Sequence, residues 1–359
     1  MSIIRYGIIG TGSISRTHAD ALQSVRETQI LAVASRSQTN AGMFAQWKGV
    51  PDAYDDYRRI LERSDIDAVI VAFPNKAHAP IALEALQAGK HVLLEKPLCL
   101  TLDEADRLIA ASTESGRILM YAEELCFVPR FVRLKELLDE GAVGSPYMIR
   151  QIEKHAGPHA EWFYQREQAG GGALMDMGCH SIEAIRWMLG KPAVKSVYGQ
   201  IDLVLHKDKT ELDDHTIVII EFENGAVGVA EAGWAKQGGM TSTFEIFAAN
   251  GLLTAESVSD TGITAFSNEG YGMLPDATRG WSKPDVDTVA SHGYVAELEH
   301  FTNCIRENTV PLETAQDGKI VLEIMLAAYH SSATGRKIEF PFDPPEFEFP
   351  VDLWRPAAG

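Results

Sequence analysis

The chain has 359 residues, 45% hydrophobic and 23% charged, proportions of an ordinary soluble globular protein that exclude disordered, collagen-like and disulfide-scaffold classes. Lys plus Arg number 32 against 50 Asp plus Glu, a formal net charge of −18 with a pI near 5.0. So acidic a surface repels nucleic-acid backbones and anionic headgroups, which argues against nucleic-acid and membrane partners.

Apolar runs such as Ala68 to Phe73 fall far below the roughly 20 residues of a bilayer span. Met1 to Gly10 has no signal-peptide core, so the expected location is the cytoplasm. Cys99, Cys126, Cys179 and Cys304 form no CxxC pair and read as buried, reduced thiols. The length suggests two domains on a prior of about 100 to 200 residues each.

In chain order, short Val- and Ile-rich runs alternate with amphipathic stretches of helix length. Tyr6 to Gly10, Gln29 to Ser35, Ala68 to Phe73, His91 to Glu95 and Ile118 to Tyr121 read as strands buried on both faces of a parallel sheet. Ile14 to Val25, Thr39 to Lys48, Tyr57 to Ser64, His78 to Ala88 and Leu102 to Ser115 read as helices between them, the last two stopping near Gly89 and Gly116. This rhythm predicts an α/β domain with a doubly wound parallel sheet over residues 1–124.

Phe131 to Glu140 reads as a helix closed by Gly141, after which the pattern changes. Tyr147 to Lys154, Val194 to Leu205, Thr216 to Phe222, Ala226 to Trp234 and Thr243 to Ala248 alternate as strands do, with turn signals at Glu223-Asn224-Gly225 and Asn250-Gly251. Residues 125–339 are therefore expected to form an α+β domain with a large, mostly antiparallel open sheet. Its helices are placed at Gly178 to Leu189, Tyr294 to Glu307 and Gln316 to Thr334. Residues 340–359 hold five prolines and are expected to run extended, as a packed-down tail or as an arm clasping a second subunit.

Gly10-Thr11-Gly12-Ser13-Ile14-Ser15 follows the first strand and opens a helix. Gly10 permits the tight turn, Gly12 lets the backbone approach a pyrophosphate, and the helix terminus around Thr11, Ser13 and Ile14 supplies N–H donors. Ser15 stands where Gly or Ala is usual, yet it is small enough for helix-to-strand contact. At the end of the second strand an acid would normally hold the ribose hydroxyls. Here the sequence is Ser35-Arg36-Ser37. Arg36 and its neighbours suit a 2′-phosphate, or Arg36 stacks on the adenine of either cofactor, so the cofactor is NAD or NADP with the balance toward NADP.

Phe73-Pro74-Asn75, with His78 beyond, and Glu95-Lys96-Pro97 stand at the carboxyl ends of later strands, where ligands of open α/β sheets bind. Pro74, Asn75, His78, Glu95, Lys96, Pro97 and Glu124, after the last strand, complete the expected cofactor set. The Lys96 ammonium suits polarisation of a carbonyl or stabilisation of an alkoxide during hydride transfer.

Gly170-Gly171-Gly172-Ala173-Leu174-Met175-Asp176-Met177-Gly178-Cys179-His180 sets Asp176 and His180 four apart, on one face if helical. A histidine titrating near neutrality takes or returns a hydroxyl proton, and a nearby carboxylate orients it. Upstream, Lys154 and His155 suit hydrogen bonds to sugar hydroxyls, and Trp162 suits stacking on a pyranose face. His155, His159 and His180 are ligand types without a metal-site spacing, so no metal is expected.

Together the glycine turn, Pro74-Asn75, Glu95-Lys96-Pro97 and the Asp176-xxx-His180 run resemble the glucose–fructose oxidoreductase, inositol dehydrogenase and MocA family (Gfo/Idh/MocA) over nearly the whole chain. The resemblance implies a Rossmann domain followed by an open-sheet α/β domain often used for oligomerisation, giving a homodimer or homotetramer. It implies NAD(P)-dependent oxidation or reduction of a hydroxyl or ketone on a sugar, glycoside or cyclitol. Lys96, Asp176 and His180 would form the catalytic set and also touch substrate. Glu124-Leu125-Cys126-Phe127 stands where many members have a basic residue, so a substrate contact is either missing or supplied by Arg130, and Glu183 stands where Asp is frequent. The alternatives on the same fold are a redox-neutral NAD-dependent glycosidase and a non-catalytic NAD(P)-binding regulator.

Overall fold

The computed structural model describes residues 3–258, 262–272, 275–282 and 292–355. One unit comprises Met1–Glu124 with Tyr294–Leu322, the other Leu125–Gly293 with Glu323–Gly359.

In the first unit, β1 (Ile4–Ile9), β2 (Thr28–Ala34), β3 (Asp52–Tyr54), β4 (Ala68–Val71), β5 (His91–Glu95) and β6 (Leu119–Ala122) form an all-parallel sheet in the order β3-β2-β1-β4-β5-β6. The doubly wound Rossmann fold expected from the sequence is present. Chain order reverses between β1 and β4, so the loop after β1 lies at the switch point where such sheets bind ligands. Helices Ser13–Leu22 and Gln38–Lys48 cover one face, where Ile8, Ala19, Val33, Phe44, Ala45 and Val50 form a buried cluster.

The sequence division places residues 125–339 in the second domain, but residues 294–322 pack into the first unit. The reason lies in polar groups on β1 and the first helix. Tyr6 is fully buried, and its hydroxyl pairs with Thr302 Oγ1 at 2.8 Å. The His18 ring meets Tyr294 edge-on at 5.7 Å. Tyr121 N donates to the Glu313 carbonyl at 3.1 Å, so the returning chain also covers part of the edge strand β6.

The second unit contains β7 (Pro146–Lys154), β8 (Val194–Asp202), β9 (His215–Phe222), β10 (Val227–Gly233), β11 (Thr241–Ala248), β12 (Gly251–Glu256), β13 (Ile263–Ser267), β14 (Gly280–Ser282) and β15 (Ile338–Glu339). Their order is β14-β13-β12-β11-β7-β10-β9-β8-β15. The neighbours are antiparallel except β7 and β10, which run parallel from Met148 opposite Val227 to Lys154 opposite Gly233. The sheet is therefore mixed: the chain leaves β7 for a helical excursion and returns through β8 and β9 before β10 pairs with it. Helix Cys179–Met188 is wholly buried.

On the opposite face the register aligns one apolar row across six strands, Val227, Met148, Phe247, Leu252, Phe266 and Trp281. Trp281 is 66% exposed. The tail is not extended throughout. Pro350–Leu353 forms a 3₁₀ turn, Val351 N donates to the Gly170 carbonyl at 3.0 Å, and Arg166 Nε pairs with Asp352 at 2.8 Å. Its described part is thus packed down on its own unit. All four cysteines are buried and outside any disulfide, and among the described residues no helix is long and apolar enough to cross a membrane.

Candidate functional site

The glycine turn has the geometry that its sequence implies. Gly10 has φ +126°, and a Cβ there would lie 2.0 Å from the Ala72 carbonyl oxygen, so only glycine lets β1 pass this close to the end of β4. Gly12 heads helix Ser13–Leu22 without a side-chain cap, and a Cβ on it would meet nothing within 4 Å. Uncapped N–H groups facing open space at a helix N-terminus fit the pyrophosphate of a dinucleotide. Thr11 Oγ1 donates to Ser35 Oγ at 3.2 Å, tying the turn to the end of β2. Ser37 caps the next helix by accepting from Asn40 N at 3.3 Å. The hydroxyls flanking Arg36 thus have structural partners, and the exposed guanidinium is the cationic group of that turn.

Beyond β4 and β5, His78 Nδ1 lies 2.7 Å from the Pro97 carbonyl and Nε2 lies 2.8 Å from the Phe73 carbonyl. The ring braces the two loops that carry Pro74-Asn75 and Lys96-Pro97. Burial pushes its pKa down despite these acceptors, favouring a neutral ring that donates to one carbonyl at a time. Glu95 is buried and pairs with His18 Nε2 at 2.7 Å. Burial would raise its pKa, but the His18 hydrogen bond and the charges of His18 and Lys96 outweigh that and lower it. Lys96 follows at the strand end, half-buried, its backbone N–H donating to Glu95 Oε2 at 3.2 Å. The Tyr294 hydroxyl donates to Glu124 Oε1 at 3.2 Å.

His18 and Tyr294 were absent from the residues expected from sequence. Helical position shows only that His18 faces inward, and its carboxylate partner lies far along the chain.

In the second unit the glycine run is a close backbone crossing. A Cβ on Gly172 would lie 1.9 Å from the Asp213 carbonyl oxygen. Buried Asp213 accepts from Gly172 N at 2.9 Å, Leu174 N at 2.7 Å and the Tyr329 hydroxyl at 2.6 Å. From this clamp Leu174–Gly178 winds as a π-helical turn and continues into helix Cys179–Met188, whereas the sequence predicted a helix from Gly178. Such turns often occur at functional sites. Asp176 and His180, on this turn and the helix it feeds, are each only 5% exposed.

His155 Nε2 lies 3.8 Å from Asp176 Oδ2, so the structure brings this expected substrate residue beside the carboxylate. Strand alternation turns Lys154 to the opposite face, where its ammonium bonds Glu231 at 2.8 Å. Trp162 stacks on Phe163 at 3.7 Å, which occupies one face of its indole. Arg130 donates to the Glu256 carbonyl at 2.8 Å, and Glu183 is buried against Arg186 and Lys191. Trp234, which sequence reasoning passed over as a strand end, donates from Nε1 to Asp176 Oδ2 at 2.8 Å. Its signal was a large indole whose N–H needs a partner once buried.

Comparison with known proteins matches both halves of the chain. A family model described as an oxidoreductase family, NAD-binding Rossmann fold, matches residues 4–123, and a GFO/IDH/MocA C-terminal domain model matches residues 131–254. The myo-inositol 2-dehydrogenase of Thermotoga maritima is 25% identical over 338 residues, spanning 94% of this chain and 98% of its own. The scyllo-inositol 2-dehydrogenase (NAD(+)) of Bacillus subtilis is 27% identical over 342 residues, spanning 94% and 96%. The crystal structure of GenD2 from gentamicin A biosynthesis in complex with NAD superposes with a TM-score of 0.84 at 32% identity, covering 95% of this chain and 97% of that one.

Proposed function

Because the chain belongs to the Gfo/Idh/MocA oxidoreductase family, we propose that it is an NAD(P)-dependent enzyme that oxidises a secondary hydroxyl, or reduces the matching ketone, on a sugar, glycoside or cyclitol. The observation that carries this reading is that relatives named as inositol 2-dehydrogenases align over 94% of the chain. The bound cofactor supplies the hydride acceptor or donor. His180 takes the hydroxyl proton in oxidation and returns it in reduction, and Asp176 orients and electrostatically supports His180. Lys96 stabilises the charge that develops on the reacting oxygen. His155 and the free face of Trp162 contact substrate hydroxyls and ring, while Lys154 serves the outer sheet face.

Gly10 to Ile14, Pro74-Asn75 and the Glu95-Lys96-Pro97 and Glu124 region hold the cofactor, with His78 bracing two of these loops. Arg36, with no acid at the end of β2, favours NADP over NAD. Four buried thiols outside any disulfide support a cytoplasmic location.

The test is near-ultraviolet nicotinamide absorbance with NAD and NADP supplied separately against sugars, inositols and glycosides. The expected result is growth with one compound class, faster with NADP. Lys96→Met is expected to lower kcat about 10²- to 10³-fold, as loss of an oxyanion partner does, far more than it weakens cofactor binding in a fluorescence titration. Unchanged kcat in that variant removes Lys96 from the chemistry. Glycoside cleavage without net reduced cofactor transfers the reading to a redox-neutral glycosidase. Cofactor binding with neither reaction leaves a regulator.

The apolar row ending at Trp281 and Phe266 is the surface on which we place a homodimer or homotetramer contact. Sedimentation is expected to find the wild type as a dimer or tetramer and Phe266→Glu with Trp281→Glu as a smaller species. A monomeric wild type overturns this assignment.

A further inference from the structure

Trp234 follows β10 and is 0% exposed. An indole has a single polar atom, and here Nε1 donates to Asp176 Oδ2 at 2.8 Å. A bond from N–H to an ionised carboxylate is among the stronger hydrogen bonds of a protein interior, and it favours the charged form of the acceptor.

The ring that carries the donor is fixed on several sides. It packs with Ala173, Met177 and Ala232 and meets Phe163 edge-on at 6.4 Å and Tyr164 at 5.9 Å. Its backbone N–H donates to the Asp214 carbonyl at 2.8 Å. The Asp214 carboxylate in turn gathers the N–H groups of Val204, Leu205 and His206. The donor direction is therefore set by the sheet and its loops.

A second ring nitrogen lies near the same carboxylate oxygen, beyond hydrogen-bond distance. His155 Nδ1 accepts from Gly157 N at 3.1 Å, which leaves the proton of a neutral ring on Nε2, 3.8 Å from Asp176 Oδ2 and 3.2 Å from Met177 Sδ.

We propose that Trp234 is a positioning residue for the reaction, holding Asp176 ionised and in one orientation through Oδ2. This rests on the reading of Asp176 as part of the catalytic set. Indole packing alone would make the residue structural; the donor bond to a functional carboxylate makes it a control on chemistry.

Trp234→Phe keeps an aromatic ring against Phe163 and Tyr164 and deletes the donor. The expected result is a kcat at least about tenfold lower and an acid limb of the pH–kcat profile raised by about one unit, from the worth of a hydrogen bond to a charged group. The KM for the cofactor stays unchanged. The sign follows from the donor's effect: without it the carboxylate holds its proton to higher pH, so activity fails earlier on acidification. Trp234→His, which restores a ring N–H, is expected to bring the limb back toward wild type.

Made on top of Asp176→Asn, Trp234→Phe should lower kcat no further, because both changes strike the same step. An unshifted limb, or losses that simply add, overturns the proposal, and a fold defect shows as added loss in both backgrounds with a lowered melting temperature. If Asp176→Asn alone keeps wild-type kcat, it is the catalytic reading of Asp176 that fails.

Discussion

His180→Ala is expected to lower kcat by about 10²- to 10⁴-fold, the usual worth of a positioned general acid or base. Removing a hydride from a carbinol leaves a proton on oxygen that must depart as the carbonyl forms. Without the imidazole that proton passes to water, which is a poor base at neutral pH. His180 stands on the first turn of helix Cys179–Met188, buried to 5% exposure. Water therefore has limited access to replace it. The deficit should narrow as pH rises, because hydroxide takes over part of the task. Cofactor affinity should not move, since the glycine turn and the loops after β4 and β5 are untouched. Steady-state kinetics across pH, paired with a cofactor titration, check both halves. A kcat unchanged from wild type ends the assignment of His180 as the proton-transfer group.

Gly172→Ala is expected to cost about 3 kcal/mol or more, in the range of severe overpacking joined to broken buried polar bonds. The added methyl would sit 1.9 Å from the Asp213 carbonyl oxygen and 2.7 Å from its nitrogen, and backbone cannot yield as a flexible side chain does. Displacing it strains the bonds by which the Asp213 carboxylate holds Gly172 and Leu174. Burial already pushes the pKa of this group upward against those bonds and that of Tyr329, so a weakened clamp leaves a poorly satisfied acid in the interior. Because Leu174 opens the π-helical turn carrying Asp176, activity should fall with stability. Gly42→Ala is the contrasting case. It lies inside helix Gln38–Lys48 with nothing within 4 Å of its would-be Cβ, and should be neutral or stabilise by up to about 1 kcal/mol. Thermal and denaturant melts of the two variants decide between close approach and mere helix propensity.

Elements determined by one local pattern were the most legible in the sequence. Buried parallel strands, Gly10 at its turn and the Asn224-Gly225 hairpin were all visible in short windows. β3 escaped because Asp52–Tyr54 is a three-residue edge strand too brief to show a period. β12, β13 and β14 were missed although Asn250-Gly251 announced the hairpin between β11 and β12. The parallel pairing of β7 with β10 was hidden because hairpin turns report only sequential neighbours. At the site, the placement of Asp176 and His180 on one continuous helical segment was legible from spacing. Trp234 and His18 were not, since each becomes notable through a carboxylate distant in sequence, Asp176 and Glu95 respectively. The face on which Lys154 lies depended on strand register, which a one-residue uncertainty inverts.

The return of residues 294–322 to the first unit imposes an order on synthesis. On the ribosome, Tyr6 and His18 emerge early, while Thr302 and Tyr294 are translated only after the whole intervening sheet sequence. At ordinary elongation rates that delay is on the order of tens of seconds. Throughout it, the nascent nucleotide-binding half exposes the surface that helix Tyr294–Glu307 will cover. A chain stopped at Glu124 would leave that surface of the amino-terminal half uncovered permanently.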